Sequence, residues 1–247
     1  MLRTMLLLAL ALPLLLNGCT TTSPTGKTAS YHLQMGAMHL GERNYTAALQ
    51  ELLEAEKLDG DNPELLYNLG LAYLGKRRPE LAEPKFLKAI SLKPNFSTAR
   101  NDLGVTYMEL KRWDQAIQQL KLVKDDLLYA QHDSAVINLG LAYLGKGDYD
   151  KALNELNEVR AANPRSPVVR VVIGRVLAAQ EKPAQAIAEF RKALEFYPDY
   201  PMAHYHLGLS LMKSDLVAAR HAFKEVVRLA PDAEISRSAQ EYLELLK

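Results

Sequence analysis

An apolar residue followed directly by glycine recurs along most of the chain at a nearly constant spacing. Successive glycines of this kind stand 34, 34, 36, 34 and 34 residues apart. An alanine follows the first five glycines by twelve residues and the sixth by eleven, and a large apolar residue comes four positions after each alanine. The glycines are Gly36, Gly70, Gly104, Gly140, Gly174 and Gly208; the alanines are Ala48, Ala82, Ala116, Ala152, Ala186 and Ala219; the apolar residues are Leu52, Phe86, Leu120, Leu156, Phe190 and Phe223. A fixed period of this length indicates an array of repeated structural units.

Each repeat is predicted to be a pair of antiparallel helices. The small glycine and alanine allow two helix backbones to approach closely, and the Leu or Phe that follows fills the groove between them. Short turns such as residues 75–79 separate the two helices. In four copies a proline ends the second helix; these are Pro94, Pro164, Pro198 and Pro231. One pair cannot bury its apolar face alone, so the sequence predicts an all-α stack of six pairs that share a continuous core.

A further helix is expected after the sixth repeat, over residues 232–247. Asp232 suits an N-cap. Ile235, Ala239, Tyr242 and Leu246 share one face of a helix that begins there. This segment is predicted to cap the exposed end of the array.

The N-terminus has the pattern of a secretory signal. Residues 5–16 are apolar but too short to span a bilayer as a helix. Residues 16–19, Leu-Asn-Gly-Cys, resemble a bacterial lipobox, although Asn17 departs from the residue usual at its position. The resemblance implies that residues 1–18 are removed and that Cys19, the only cysteine, is lipidated. It also implies an outer-membrane address, because Thr20 and not Asp follows the cysteine. The alternative is an ordinary secretory signal with an incidental cysteine.

The residues after Cys19 are polar and include Pro24 and Gly26. Residues 19–30 are therefore expected to be a flexible tether. The domain of repeats and capping helix is expected to occupy residues 31–247.

Charge and motifs exclude several classes of function. Lys and Arg number 30 against 29 Asp and Glu, and no basic stripe is interleaved with aromatic residues, so a nucleic-acid partner is not expected. HExxH, GxxxxGK(S/T), GxGxxG and CxxC motifs are absent from the sequence. His204 and His206, two residues apart, should point to different sides of a helix and not share a metal. We therefore expect no enzyme activity, no cofactor, no metal and no small-molecule substrate.

The period and residue classes resemble those of the tetratricopeptide repeat (TPR) family. The resemblance implies a superhelix whose concave groove is lined by the first helix of each repeat, at its second, fifth, ninth and twelfth positions. The main candidate lining residues are Leu33, Leu40, Tyr67, Leu71, Leu74, Asn101, Val105, Met108, Ile137, Leu141, Leu144, Tyr205 and Leu209. Ala37, Val168, Val171, Ala178, Met202 and Met212 stand in the same register.

So apolar a groove favours the binding of a protein segment. The alternative is that many of these side chains pack against the neighbouring helix and are little exposed. TPR domains that clamp a C-terminal carboxylate carry Lys and Asn where this chain has Leu33 and Ala37. An extended or helical apolar segment is therefore the expected ligand.

The whole chain also resembles the type IV pilus pilotin lipoproteins. The lengthened third repeat, the segment Asp126-Leu-Leu-Tyr129 and Asn101 carry this resemblance, and Asp102, Leu103 and Ala130 depart from it. It implies a lipid-anchored, periplasm-facing protein that helps a pilus secretin to assemble at the outer membrane. The alternative is a TPR adaptor that docks cell-wall hydrolases or outer-membrane assembly factors.

Overall fold

The computed structural model describes residues 24–246, and within them the chain forms thirteen α-helices and no strand. Twelve of the helices make six antiparallel pairs and the thirteenth follows the last pair, so the predicted fold class is confirmed. The helices are α1 (Pro24–Gly41), α2 (Tyr45–Leu58), α3 (Pro63–Gly75), α4 (Pro79–Leu92), α5 (Ser97–Glu109), α6 (Trp113–Lys124), α7 (His132–Lys146), α8 (Tyr149–Ala162), α9 (Pro167–Ala179), α10 (Pro183–Phe196), α11 (Pro201–Leu211), α12 (Leu216–Leu229) and α13 (Glu234–Leu245).

The repeated glycines lie where the two helices of a pair are closest. A Cβ atom on Gly104 would lie 2.7 Å from Cγ of Leu120, and one on Gly208 would lie 2.8 Å from the ring of Phe223. The other four glycines face the equivalent Leu or Phe of their own pair in the same way. All six repeated alanines are fully buried. The predicted role of the small residues is therefore confirmed.

In the first five repeats the end of the first helix is shaped by a left-handed residue, seven positions after the repeated glycine. Arg43, Arg77, Lys111 and Glu181 hold φ between 56° and 59°, and Gly147 holds φ 87° at the same position of the fourth repeat. In the sixth repeat, whose turn is one residue shorter, Asp215 has φ −152° and caps α12 by accepting from the Ala218 amide. The second helices α4, α8, α10 and α12 each end two residues before a proline, as predicted.

The two extra residues of the third repeat enlarge the connection between α6 and α7. This connection spans residues 125–131, whereas each of the other links between repeats spans four residues. Asp126 orders it by accepting from the Ser97 hydroxyl at 2.5 Å and from the Leu128 amide at 3.1 Å. Leu127 and Leu128 stand 90% and 94% exposed on this loop.

The boundary of the domain at its N-terminal side differs from the prediction. Helix α1 begins at Pro24, so the expectation of a flexible tether was wrong for residues 24–30. Proline is well tolerated in the first turn of a helix, and Ala29, only 6% exposed, is part of the core. Residues 1–23, including the predicted signal and Cys19, lie outside the described residues.

The capping helix forms where it was predicted but starts differently. Ala233, and not Asp232, precedes its first residue, and no side chain caps this end. Tyr242 stacks on Phe223 with ring centroids 5.0 Å apart. The hydroxyl of Ser236, fully buried, donates to the Ala230 carbonyl at 2.6 Å. The helix therefore covers the last repeat through specific contacts.

Candidate protein-binding groove

The first helices of the repeats line the inner side of a curved array. Within the described residues, α1, α3, α5, α7, α9, α11 and α13 each contact the next helix of this set, whereas the second helices do not contact one another. The array therefore curves with its first helices inside. The curvature brings the turn after α3 close enough to the start of α13 for Arg77 Nη2 and Glu234 Oε2 to form an ion pair at 2.5 Å.

The structure places the predicted lining residues along this inner side. All thirteen main candidates lie on first helices, and each is half-buried; they are Leu33, Leu40, Tyr67, Leu71, Leu74, Asn101, Val105, Met108, Ile137, Leu141, Leu144, Tyr205 and Leu209. Most of the apolar ones pack against the core with part of their surface. These side chains thus contact the core and keep part of their surface exposed, and their role in binding stays a prediction.

The six other residues in the same register differ in their exposure. Ala37, Val168, Ala178 and Met202 are exposed, and Met212 is half-buried. Val171 is only 2% exposed and belongs to the core, so its expected place in the groove was wrong. Its helix α9 contacts both α7 and α11, and this packing leaves no groove surface at that position.

Two depressions lie on either side of α9. The first, of about 340 Å³, is lined by Val105, Met108, Glu109, Trp113, Leu141, Leu144, Gly145 and Arg175. The second, of about 660 Å³, is lined by Ala178, Glu181, Pro183, Ala184, Ile187, Leu209, Ser210, Met212, Lys213 and Ser214. The first brings together predicted residues of the third and fourth repeats, and the second brings together those of the fifth and sixth. Both are open and mainly apolar, as suits side chains of a bound segment.

A chain of hydrogen bonds crosses three first helices. The Tyr67 hydroxyl donates to Asp102 Oδ2 at 2.9 Å, and Asn101 Nδ2 donates to Asp102 Oδ1 at 3.1 Å. Asn138 Nδ2 in turn donates to Asn101 Oδ1 at 3.1 Å. Asn101, predicted as a binding residue, is therefore engaged in joining repeats. Asp102 was not singled out for a role, since it stands one position away from the groove register.

The environment of this network shifts two pKa values. Burial raises the pKa of Asp102, and the hydrogen bonds from Tyr67 and Asn101 oppose that shift. Burial, together with the nearby Asp102 carboxylate, raises the pKa of Tyr67. Tyr67 thus stays a hydrogen-bond donor at physiological pH.

Arg175 is the groove residue that sequence reasoning missed. It occupies the ninth position of α9, where the second, third, fourth and sixth repeats have Leu71, Val105, Leu141 and Leu209. It is half-buried, and burial lowers the pKa of its guanidinium. Arg175 stands in the groove register, but its charge sets it apart from the apolar residues by which the groove is predicted.

The histidines and acidic residues of the described part of the chain are spread over many of its helices. No three His, Cys, Asp or Glu side chains cluster there as metal ligands would. His206 stacks on Phe190, whereas His204 Nε2 lies 2.7 Å from the Pro198 carbonyl, so the two histidines point apart as expected. None of the thirteen described helices has the length and apolar character needed to cross a membrane.

Comparison with known proteins agrees with this architecture. The family pattern described as "Tetratricopeptide repeat" matches residues 67–127, 137–201 and 171–234, and the one described as "TPR repeat" matches residues 44–76. Neither pattern indicates a catalytic family. The type IV pilus assembly protein PilF of Pseudomonas aeruginosa is 26% identical over 113 residues, which are 46% of this chain and 45% of PilF. The TPR repeat-containing protein MJ1428 of Methanocaldococcus jannaschii is 26% identical over 210 residues, which are 84% of this chain and 32% of that protein. The chain thus matches less than half the length of either curated relative.

Solved structures show the same fold. P. aeruginosa PilF superposes with a TM-score of 0.66 at 19% identity, covering 88% of this chain and 99% of PilF. PilW, a type IV pilus biogenesis factor, gives 0.70 at 18% identity, covering 86% of this chain and 98% of PilW. A TPR protein of Parabacteroides merdae gives a TM-score of 0.78 at 16% identity, covering 91% of this chain and 86% of that protein. The repeated small residues, the paired helices and the matches over most of its length place this chain in the tetratricopeptide repeat family.

Proposed function

We propose that this chain is a TPR scaffold that assists assembly of a type IV pilus secretin and binds it through the groove. The half-buried apolar strip along the first helices carries the proposal, because a continuous surface of this kind suits a protein segment. The similarity to the type IV pilus assembly protein PilF and to the pilus biogenesis factor PilW supports a role in pilus assembly, and the secretin is the partner that we propose within it. Both structures match this array over nearly their whole length.

We also propose that the scaffold works at a membrane surface. The apolar stretch before Cys19 and the lipobox-like residues 16–19 support lipidation at that cysteine. Two or more acyl chains would hold the protein at the membrane stably, whereas one would bind it only marginally. The outer membrane, facing the periplasm, is the proposed location. Labelling with a radioactive fatty acid tests this, since a Cys19→Ala variant should take up no label.

Deletion of the gene tests the assembly role. We expect secretin to remain monomeric and surface pili to be lost, and we expect the wild-type gene to restore both. The variants Leu71→Asp and Leu141→Asp place a charge in the groove and should fail to restore assembly. Arg191→Asp, on the exposed side of α10, is the matched control and should restore it.

Normal secretin multimers in the deletion strain would refute the assembly role. If the chain then co-purified with a cell-wall hydrolase or an outer-membrane assembly factor, the adaptor function would replace it. Full rescue by both groove variants, with secretin assembly still dependent on the chain, would refute the groove as the binding surface.

A further inference from the structure

Arg175 places a positive charge in a mainly apolar stretch of the groove. It lines the first depression beside Val105, Met108, Leu141 and Leu144. One turn further along α9, Ala178 lines the second depression. Arg175 therefore lines one depression on a helix that also borders the other, so a single segment that filled both would pass over this helix.

The guanidinium of Arg175 has no partner within residues 24–246. No hydrogen bond, ion pair or ring contact engages it there, whereas Arg170 on the same helix donates to Glu189 Oε2 at 2.9 Å and to the Pro164 carbonyl. Glu109 lines the same depression but is exposed and forms no ion pair with Arg175. His206, on the neighbouring helix α11, is held neutral because burial and the charge of Arg175 lower its pKa to about 4. The groups that face Arg175 thus leave its charge uncompensated.

A half-buried arginine without a partner is suited to bind a carboxylate group of a ligand. Its planar fork of N–H donors fits both oxygens of a carboxylate. A charge removed from water is unfavourable unless it is paired, so a carboxylate that arrives with a ligand gains more here than at an open surface. Arginine is also among the residues that dominate binding energy at protein interfaces.

We infer that Arg175 binds the carboxylate of an Asp or Glu side chain in a partner segment whose apolar side chains occupy the depressions on both sides. This rests on the proposed function only in taking the groove as the binding surface. The carboxylate belongs to a side chain, and not to a chain end, because the groove continues past Arg175 in both directions. A chain-end clamp would also need further converging donors, and Leu141 and Leu144 stand beside Arg175 instead.

Selection from a display library of random 16-residue peptides on the full chain tests this inference. The expected consensus has one acidic residue flanked by apolar ones, and it should bind equally well with an amidated C-terminus. Arg175→Gln should weaken the selected peptides by about 30-fold or more, as expected when one partner of a desolvated charge pair is removed. Arg175→Glu, used in a fresh selection, should favour Lys or Arg at the same position. Arg191→Gln, an exposed arginine on α10, is the matched control and should change nothing.

Thermal melting separates recognition from a structural role. Because Arg175 is desolvated without a partner, Arg175→Met should raise the melting temperature of the free chain, by about 2–4 °C for each kcal/mol regained. A structural arginine would lower it.

The inference is overturned if no peptide is enriched, if the consensus lacks an acidic position, or if amidation abolishes binding. It is also overturned if Arg175→Gln binds the peptides as well as the wild type does. Each of these results is independent of whether secretin is the natural partner, which the deletion experiment decides.

Discussion

Replacement of Gly104 by alanine tests the packing principle that builds every repeat. The added Cβ would lie 2.7 Å from Cγ and 2.9 Å from Cδ2 of Leu120, a side chain that is fully buried. Inserting a methyl group into such a core costs about 1–3 kcal/mol. The higher helix propensity of alanine offsets about 1 kcal/mol of that cost. We therefore expect the free energy of unfolding to fall by about 0–2 kcal/mol.

Gly41→Ala is the matched control for this change. Gly41 is the last residue of a first helix, α1, and a Cβ there would meet no atom within 4 Å. It should gain helix propensity without a clash. The two variants should therefore differ by about 1–3 kcal/mol in urea unfolding followed by circular dichroism.

A second-site change identifies the contact responsible. Leu120→Ala alone should cost about 2–5 kcal/mol, because it leaves a cavity. In that background Gly104→Ala should no longer destabilise, since the atoms it would strike are gone. An equal cost of Gly104→Ala in both backgrounds, or a stability gain equal to that of Gly41→Ala, would refute the reasoning.

Three further predictions concern single positions. Lys111→Gly should stabilise the chain by up to about 1 kcal/mol, and Gly147→Lys should destabilise it by about as much, because both positions hold a left-handed backbone. If the two variants shifted the free energy of unfolding in urea in the same direction, this reasoning would be contradicted. His206 has a pKa lowered by burial from 6.5 to about 4, so the unfolded chain binds more protons between those values. Acidification from pH 6.5 to 4 should therefore lower stability by about 3 kcal/mol through this group, and a His206→Phe variant that kept the same loss would refute the assignment. Tyr67→Phe should cost about 1–3 kcal/mol at pH 7, because the half-buried Asp102 carboxylate loses a donor; an unchanged urea midpoint would show that water replaces it.

The fold was predictable because its determinants repeat. Six copies of the same close approach, such as Gly104 against Leu120, leave the same small and large residues at fixed intervals in the sequence. The start of α1 was not predictable in this way. Residues 24–28 precede the first repeat, and Ala29 at its start is buried by contacts that only the folded array provides.

The helices that carry the candidate groove residues were predictable from the sequence, but the packing and charge compensation of those residues were not. The register located Leu71, Leu141 and their equivalents, yet it could not show that Val171 would be covered by packing on both sides of α9. Arg175 is not apolar and so was not among the predicted groove residues. Its importance for binding follows from the absence of a partner for its guanidinium within residues 24–246. Whether a charge is compensated depends on three-dimensional neighbours that are distant in sequence.

Photo-crosslinking in living cells tests the central claim most directly. A photoreactive amino acid at Met108, which lines the first depression, should form a crosslink to the pilus secretin. The same group at Arg191, exposed on α10, should not. Secretin crosslinked from Met108 alone is the result that the groove model predicts. A Met108 variant that folds and supports pilus assembly but yields no secretin crosslink, or crosslinks of equal strength from both positions, would contradict it.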